Sequence, residues 1–282
     1  MMIDFSDVLL TVDFDRTFSA RDSSVPQRNL DAVRYFMDHG GTFTINTGRS
    51  AVNFAQQIKT TPVNAPILLY NGSAAYENGQ LCQCVEIDVD MWDMVELLHE
   101  KFPEMDLEIH GGEYHYLIEP TEKVLALYEN LDWKWKAAKR GDVVGPFIKL
   151  AIFGQTEVPL FSELYKATEE ELARFDEATR IIETLYGDKV EVFRAAPRIL
   201  NIHAKGVSKL KAARTLQERL EKKILICVGD AQNDVPMLDG ADYAFCPADA
   251  SIADRYPNVC CCDEGAIADV IYNEIPKILA SR

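Results

Sequence analysis

The sequence predicts an α/β fold: a Rossmann-like parallel-sheet core over residues 1–82 and 191–282, with an inserted α+β domain over 83–190. Three observations lead there. Short apolar, β-prone runs alternate with helical segments in the N-terminal and C-terminal parts, the pattern of a parallel sheet wrapped by helices. These runs stop abruptly in polar residues, at the strand ends where such sheets bind ligands. Between the two parts the pattern changes to hairpins mixed with helices.

The first run is Val8-Leu9-Leu10-Thr11-Val12, and it ends in Asp13-Phe14-Asp15-Arg16-Thr17. In an extended chain residues i and i+2 share a face, so Asp13 and Asp15 are expected to point the same way. Two like charges a few ångströms apart repel by roughly 4 kcal/mol at an effective dielectric of about 20. A cation or a shared proton offsets that cost, so the stretch predicts a cation site.

A cap at Ser23-Ser24 and Pro26 precedes a helix over Gln27 to His39, closed by Gly40-Gly41. The second strand, Thr42 to Asn46, runs into Thr47-Gly48-Arg49-Ser50, and a second helix is expected over Ala51 to Ile58. The third, Pro66 to Tyr70, ends in Asn71-Gly72. In the insert the expected elements are a helix over Asp88 to Phe102 capped by Asp88, and a hairpin of Asp106 to His110 with Tyr114 to Glu119. A helix over Thr121 to Leu131, a strand over Phe147 to Phe153 and a broken helical stretch over Val158 to Leu185 follow. Val190 to Arg194 and Ile199 to His203 read as an antiparallel pair. The wound pattern then resumes with a helix from Lys209 to Glu221 and the apolar strand Lys223 to Val228. That strand ends in Gly229-Asp230-Ala231-Gln232-Asn233-Asp234. Short strands at Tyr243 to Cys246 and Asn258 to Cys261, and an amphipathic helix over Glu264 to Ala280, complete the chain.

Composition narrows the function classes. The formal net charge is −16 with a pI near 4.7, which argues against nucleic-acid and anionic-membrane partners because both need basic surfaces. A phosphorylated small substrate is compatible, since a metal and a few local cations reverse the field inside one pocket. No apolar run reaches the roughly 18 residues of a membrane span. The first residues lack the basic region and apolar core of a signal peptide, so a cytoplasmic location is the expectation. The seven cysteines have no C-x-x-C spacing and no nearby histidine, and are expected to be free thiols.

Asp230 and Asp234 place two further carboxylates after a strand. Carboxylates converging at one sheet edge require a divalent cation, and an oxygen-only set without His or Cys favours Mg²⁺ over Zn²⁺.

In this order, Asp13-Phe14-Asp15-Arg16-Thr17, Thr47-Gly48-Arg49, Lys209 and Gly229 to Asp234 resemble the four motifs of the haloacid dehalogenase-like (HAD) phosphohydrolases. The large insert resembles the C2 cap of their Cof-type subgroup, class IIB. Asn71-Gly72 and Gly206-Val207-Ser208-Lys209 are also similar to that subgroup's signatures. The resemblance implies a Mg²⁺-dependent phosphatase acting on small phosphorylated metabolites, most often sugar phosphates, through an aspartyl-phosphate. It implies Asp13 as nucleophile, Asp15 as general acid and base, and Thr47 and Lys209 as catalytic partners that also bind phosphate. Gly48, Arg49, Asn71 and Asn233 are implied around the substrate. Asp13, the Asp15 main-chain carbonyl, Asp230 and a supporting Asp234 are implied around the metal. Arg16 stands where the family usually has Gly. Candidate readers of the leaving group in the cap are His110, Tyr114, His115, Tyr116 and Arg194. Two other readings fit the same motifs: a sugar phosphomutase, which returns the phosphoryl group to a sugar, and a non-catalytic sensor of a phosphometabolite.

Overall fold

Continuous runs of apolar side chains, interrupted only by Thr11, make Val8–Val12 and Ile224–Val228 strands buried on both faces. They form the middle of a sheet open at both ends. In the computed structural model, which describes residues 3–142, 145–154 and 167–282, the sheet order is Asn258–Val259, Tyr243–Pro247, Ile224–Val228, Val8–Val12, Thr42–Ile45. Every pairing is parallel, with Val12 opposite Val228 on one side and Ile45 on the other. The carboxyl ends of three adjacent strands therefore arrive together. A parallel bridge from Asn46 to Leu68 adds Ile67–Leu69 at the edge. That strand continues into an antiparallel meander with Ala74–Glu77 and Gln80–Cys82. Asn78 and Gly79, both at positive φ, make its second turn.

Contacts divide the chain into two units: Met1–Arg49, Phe54–Cys82 and Ser208–Arg282 in one, Ser50–Asn53 and Gln83–Val207 in the other. The return point differs from the expected one. A core segment beginning at 191 assigns both Val190–Ala196 and Ile199–Ala204 to the first unit, yet Ile199–Ala204 pairs antiparallel with Lys149–Gly154. Both strands belong to the second unit's six-stranded sheet, and the chain re-enters the first unit at Ser208. A strand's alternation states that one face is buried, not against which sheet, so nothing local marked the assignment.

That second sheet runs Val190–Ala196, Ile199–Ala204, Lys149–Gly154, Met105–His110, His115–Ile118, Trp135–Ala137. Its pairings are antiparallel except the last. Met105, Leu107, Ile109, Leu150, Ile152, Leu200 and Ile202 form one face, packed against Met91–Lys101 and Glu169–Tyr186. The alternate residues Asp106, Glu108, His110, Lys149, Asn201 and His203 form the other face, and all are buried.

Other departures are small and have local causes. Asp90, rather than Asp88, caps the first insert helix, accepting from the Asp93 amide at 3.2 Å. The second core helix is Ala55–Thr60 and not 51–58, because residues 51–54 are taken up in a turn where the Ser50 amide and hydroxyl both bond Asn53. Of the stretch expected over Val158 to Leu185, positions 158–166 lie outside the described residues, and the remainder is the helix Glu169–Tyr186 with a Thr168/Glu171 capping box. The last helix is Ala266–Asp269 continued through a wide turn, Val270–Glu274, into Ile275–Ala280. None of the seven cysteines is in a disulfide. No helix among the described residues is long and apolar enough to cross a membrane.

Candidate active site

The strand stops at Val12, and the two carboxylates lie on the turn that follows it. Asp13 is still extended (φ −66°, ψ 159°), Asp15 is extended (φ −71°, ψ 126°), and Arg16 turns the chain with φ +56°. The left-handed conformation is one that glycine adopts without strain and arginine does not. Asp13 is buried, its amide bonded to the Val228 carbonyl. The Asp15 side chain is 45% exposed and pairs with Arg49. Asp15 is not one of the three clustered carboxylates, although its charge is close enough to add to the rise of the Asp13 carboxyl.

That cluster consists of Asp13, Asp230 and Asp234, with oxygens within 4.8 Å of one another. Lys209 stands at its centre. Its Nζ donates to Asp13 Oδ1 at 2.5 Å and to Asp234 Oδ1 at 2.6 Å, and its side chain is 2% exposed. Ser208 caps the helix that Lys209 begins, accepting from the Lys211 amide. Asn46 holds the Lys209 carbonyl through its Nδ2 at 2.9 Å. The second oxygen of Asp234 accepts from the Asp230 and Ala231 amides at 3.1 and 3.2 Å, so Asp234 folds the loop as well as pairing the lysine. Gly229 is required here: a Cβ on it would lie 2.5 Å from Asp234 Cβ.

Three carboxylates against one ammonium leave two surplus negative charges, the charge that one divalent cation cancels. The donors are all carboxylate oxygens, which fits Mg²⁺ and gives no soft or imidazole ligand for Zn²⁺. The electrostatics agree. Burial pushes the Asp13 carboxyl well above its usual range, against the pull of Lys209, and Asp234 and Asp230 add to the rise. Burial and the neighbouring Asp234 raise Asp230 to about 7. Burial opposes charge on Lys209, but Asp13 and Asp234 outweigh it and hold the ammonium form.

Thr47 and its neighbours arrive on the next strand end. The Thr47 amide donates to Leu68 O at 2.9 Å, and the Asn71 amide donates back to Thr47 O at 3.0 Å. Asn71, buried at φ +55°, presses its side chain on Gly48, where an added Cβ would meet Asn71 Oδ1 at 2.9 Å. Arg49 gives Nε to Asp15 Oδ2 at 2.8 Å and Nη2 to Asp15 Oδ1 at 2.5 Å. Asn233 lies exposed on the Gln232–Asp234 turn.

Like Asn46 on Lys209, two supports of Asp230 go beyond the residues expected from the sequence. Thr17 Oγ1 donates to Asp230 Oδ1 at 3.3 Å, and Ser251 bonds the Asp230 carbonyl through both its amide and its hydroxyl at 2.9 Å. Thr17 was visible in the motif stretch; Ser251 carried no signal, since it reaches Asp230 only through tertiary structure.

In the second unit, Glu108, His110 and His115 also bring ligand atoms within 4.8 Å. Their geometry favours hydrogen bonding over metal binding. The two imidazoles stack 3.6 Å apart at 12°, so their in-plane lone pairs run parallel and do not converge. His115 is bonded at both nitrogens, to Tyr128 Oη at 2.6 Å and Ser50 Oγ at 2.7 Å, and His110 Nε2 lies 3.2 Å from Glu108. Of the other expected readers, Tyr116 packs on the apolar side of the sheet, Tyr114 lies under the Lys136 ammonium at 3.8 Å, and Arg194 pairs with Asp176.

The model of the haloacid dehalogenase-like hydrolase family matches residues 10–253. The chain is similar in structure to a haloacid dehalogenase-like hydrolase from Bacteroides thetaiotaomicron, with a TM-score of 0.75 at 17% identity, covering 93% of this chain and 97% of that one. It is similar to SMU.1108c from Streptococcus mutans UA159, with a TM-score of 0.76 at 19% identity over 95% and 98% of the two chains. It is also similar to BT4131, a HAD subclass IIB sugar phosphatase, with a TM-score of 0.71 at 19% identity over 96% and 98%. No curated protein matches the sequence. The family match takes in Asp13, Thr47, Lys209 and Asp230 and most of the chain, which therefore belongs to the haloacid dehalogenase-like hydrolases and is an enzyme of that family.

Proposed function

We propose that this protein is a Mg²⁺-dependent phosphatase of small phosphorylated metabolites, with sugar phosphates as the leading substrate class. The observation that carries the proposal is the meeting of Asp13, Lys209 and Asp230 at the carboxyl ends of adjacent parallel strands. The sugar phosphatase described for BT4131 supports the substrate class.

In this reading an Asp13 carboxylate oxygen attacks phosphorus, and the bond from phosphorus to the leaving oxygen breaks with its electron pair. Asp15 gives that oxygen a proton. Water then attacks the aspartyl-phosphate, its proton passes to the Asp15 carboxylate, and the bond to Asp13 breaks to release phosphate. Asp15 ends as it began. Lys209 holds Asp13 in place and meets charge developing on the phosphoryl group, as a fixed ammonium in a buried site can. Thr47 and the Gly48 backbone contact the phosphoryl oxygens, with Asn71 shaping that turn and Asn233 at the rim. Asp13, the Asp15 carbonyl and Asp230 would hold the ion, with Asp234 supporting them from its place on Lys209. Bound Mg²⁺ supplies neutralisation of the phosphate charge, the main requirement of phosphoryl transfer.

A phosphate-release screen over a metabolite panel, with and without Mg²⁺ and beside Asp13→Asn, tests the reading. Free phosphate from one or more members, lost on chelation and in the variant, is the expected result. Activity that survives Asp13→Asn or needs no divalent ion would sink it. Isomerised product in place of phosphate would indicate the mutase, and ligand binding without turnover the sensor.

A further inference from the structure

Arg49 follows Thr47 and Gly48, and its place beside them makes it a candidate phosphate contact. The side chain is committed differently. Nε and Nη2 form a fork onto the two oxygens of Asp15, at 2.8 and 2.5 Å. The guanidinium carbon sits 5.3 Å from the Phe14 ring centre and 5.9 Å from that of Phe54. Those rings are fully buried and meet edge to face at 4.8 Å. The main chain is fixed as well, with the Arg49 amide on Thr47 Oγ1 at 3.2 Å and its carbonyl accepting from the Tyr70 amide at 3.0 Å.

Resting on the phosphatase reading, we propose that Arg49 is a positioning residue for Asp15 and not a ligand of the phosphoryl group. Asp15 is half exposed, on a turn with a left-handed residue after it, and its own backbone does little to fix the carboxylate. A planar fork fixes both the place and the plane of a carboxylate, which a single ammonium cannot do. Aromatic faces on the guanidinium limit its own freedom.

The test uses the full-length protein with p-nitrophenyl phosphate, whose leaving group needs little protonation, and inorganic phosphate as inhibitor. Arg49→Ala and Arg49→Lys are expected to lower kcat by about 10–100-fold, a part of the roughly 10²–10⁴ that a positioned acid–base group contributes. The inhibition constant of phosphate stays as in the wild type. A burst of p-nitrophenol appears, because formation of the intermediate outruns its hydrolysis. In an Asp15→Asn background, Arg49→Ala costs nothing further, since the group it positions has already lost its role. Weaker phosphate inhibition with kcat unchanged, or a full Arg49→Ala loss in the Asp15→Asn background, overturns the proposal while leaving the phosphatase reading intact. Wild-type protein without Mg²⁺-dependent turnover overturns that reading and this proposal together. Circular dichroism of each variant excludes misfolding as the source of a loss.

Discussion

Replacing Lys209 with Met keeps the length of the side chain and deletes its charge, leaving Asp13, Asp230 and Asp234 together without a counter-ion. The ammonium makes two charge-assisted hydrogen bonds, at 2.5 and 2.6 Å, and is almost wholly out of water. At about 1.5–3 kcal/mol for each such bond, their loss amounts to roughly 3–6 kcal/mol. Removing one partner of a buried pair typically costs about 3–5 kcal/mol, and the two ranges agree. Proton uptake by Asp13, already favoured by burial, limits the cost to that range. Mg²⁺ should recover part of it, because the variant cluster has three surplus negative charges where the wild type has two. Urea unfolding followed by circular dichroism, in EDTA and in Mg²⁺, measures both effects. Trp92, Trp133 and Trp135 all lie in the second unit, so their fluorescence follows that unit separately. The expected outcome is a large loss in EDTA and a greater Mg²⁺-dependent gain for Lys209→Met than for wild type. Equal stability of the two proteins in EDTA, or a greater gain for wild type, would refute the charge accounting.

Gly229→Ala forces a methyl group to within 2.5 Å of Asp234 Cβ, and so displaces the residue that holds both Lys209 and the Asp230 amide. Mg²⁺ affinity, read from thermal shift across a Mg²⁺ titration, should fall by about 10–100-fold, as when other groups supporting a metal site are disturbed; an unchanged titration would contradict the assigned geometry. In the second unit, burial holds His203 well below its ordinary pKa, and Lys149 adds to the effect. The folded protein then binds no proton there while the unfolded chain does below about pH 6.5, so this site's contribution is present above that pH and is lost as pH falls, by up to ~1.4 kcal/mol per unit. His203→Gln should remove that slope, giving a smaller stability loss between pH 7 and pH 5.5 than the wild type shows in urea titrations. A parallel pair of curves would mean that His203 takes up its proton in the folded state.

The sequence by itself determined what the chain could build. Apolar runs of strand length, alternating with helices and each ending in polar residues, pointed to a parallel sheet with chemistry at its carboxyl edge, and Asp13, Thr47 and Asp230 were legible there from their positions, whereas Lys209 was marked only by the resemblance of the motifs. Alternation in Met105–His110 and Ile199–Ala204 likewise required one apolar and one polar face. Tertiary structure decided which groups meet, because strand pairing and side-chain direction depend on partners far away in sequence. It moved Val190–Ala204 into the second sheet, brought Asn46 and Ser251 to backbone groups of Lys209 and Asp230, and paired Asp15 with Arg49. The two aspartates are adjacent in the pattern, yet one faces a buried lysine and the other an arginine between two phenylalanines. A period of two fixes a face only while the chain stays in a strand, and here the strand ends at Val12, before either aspartate.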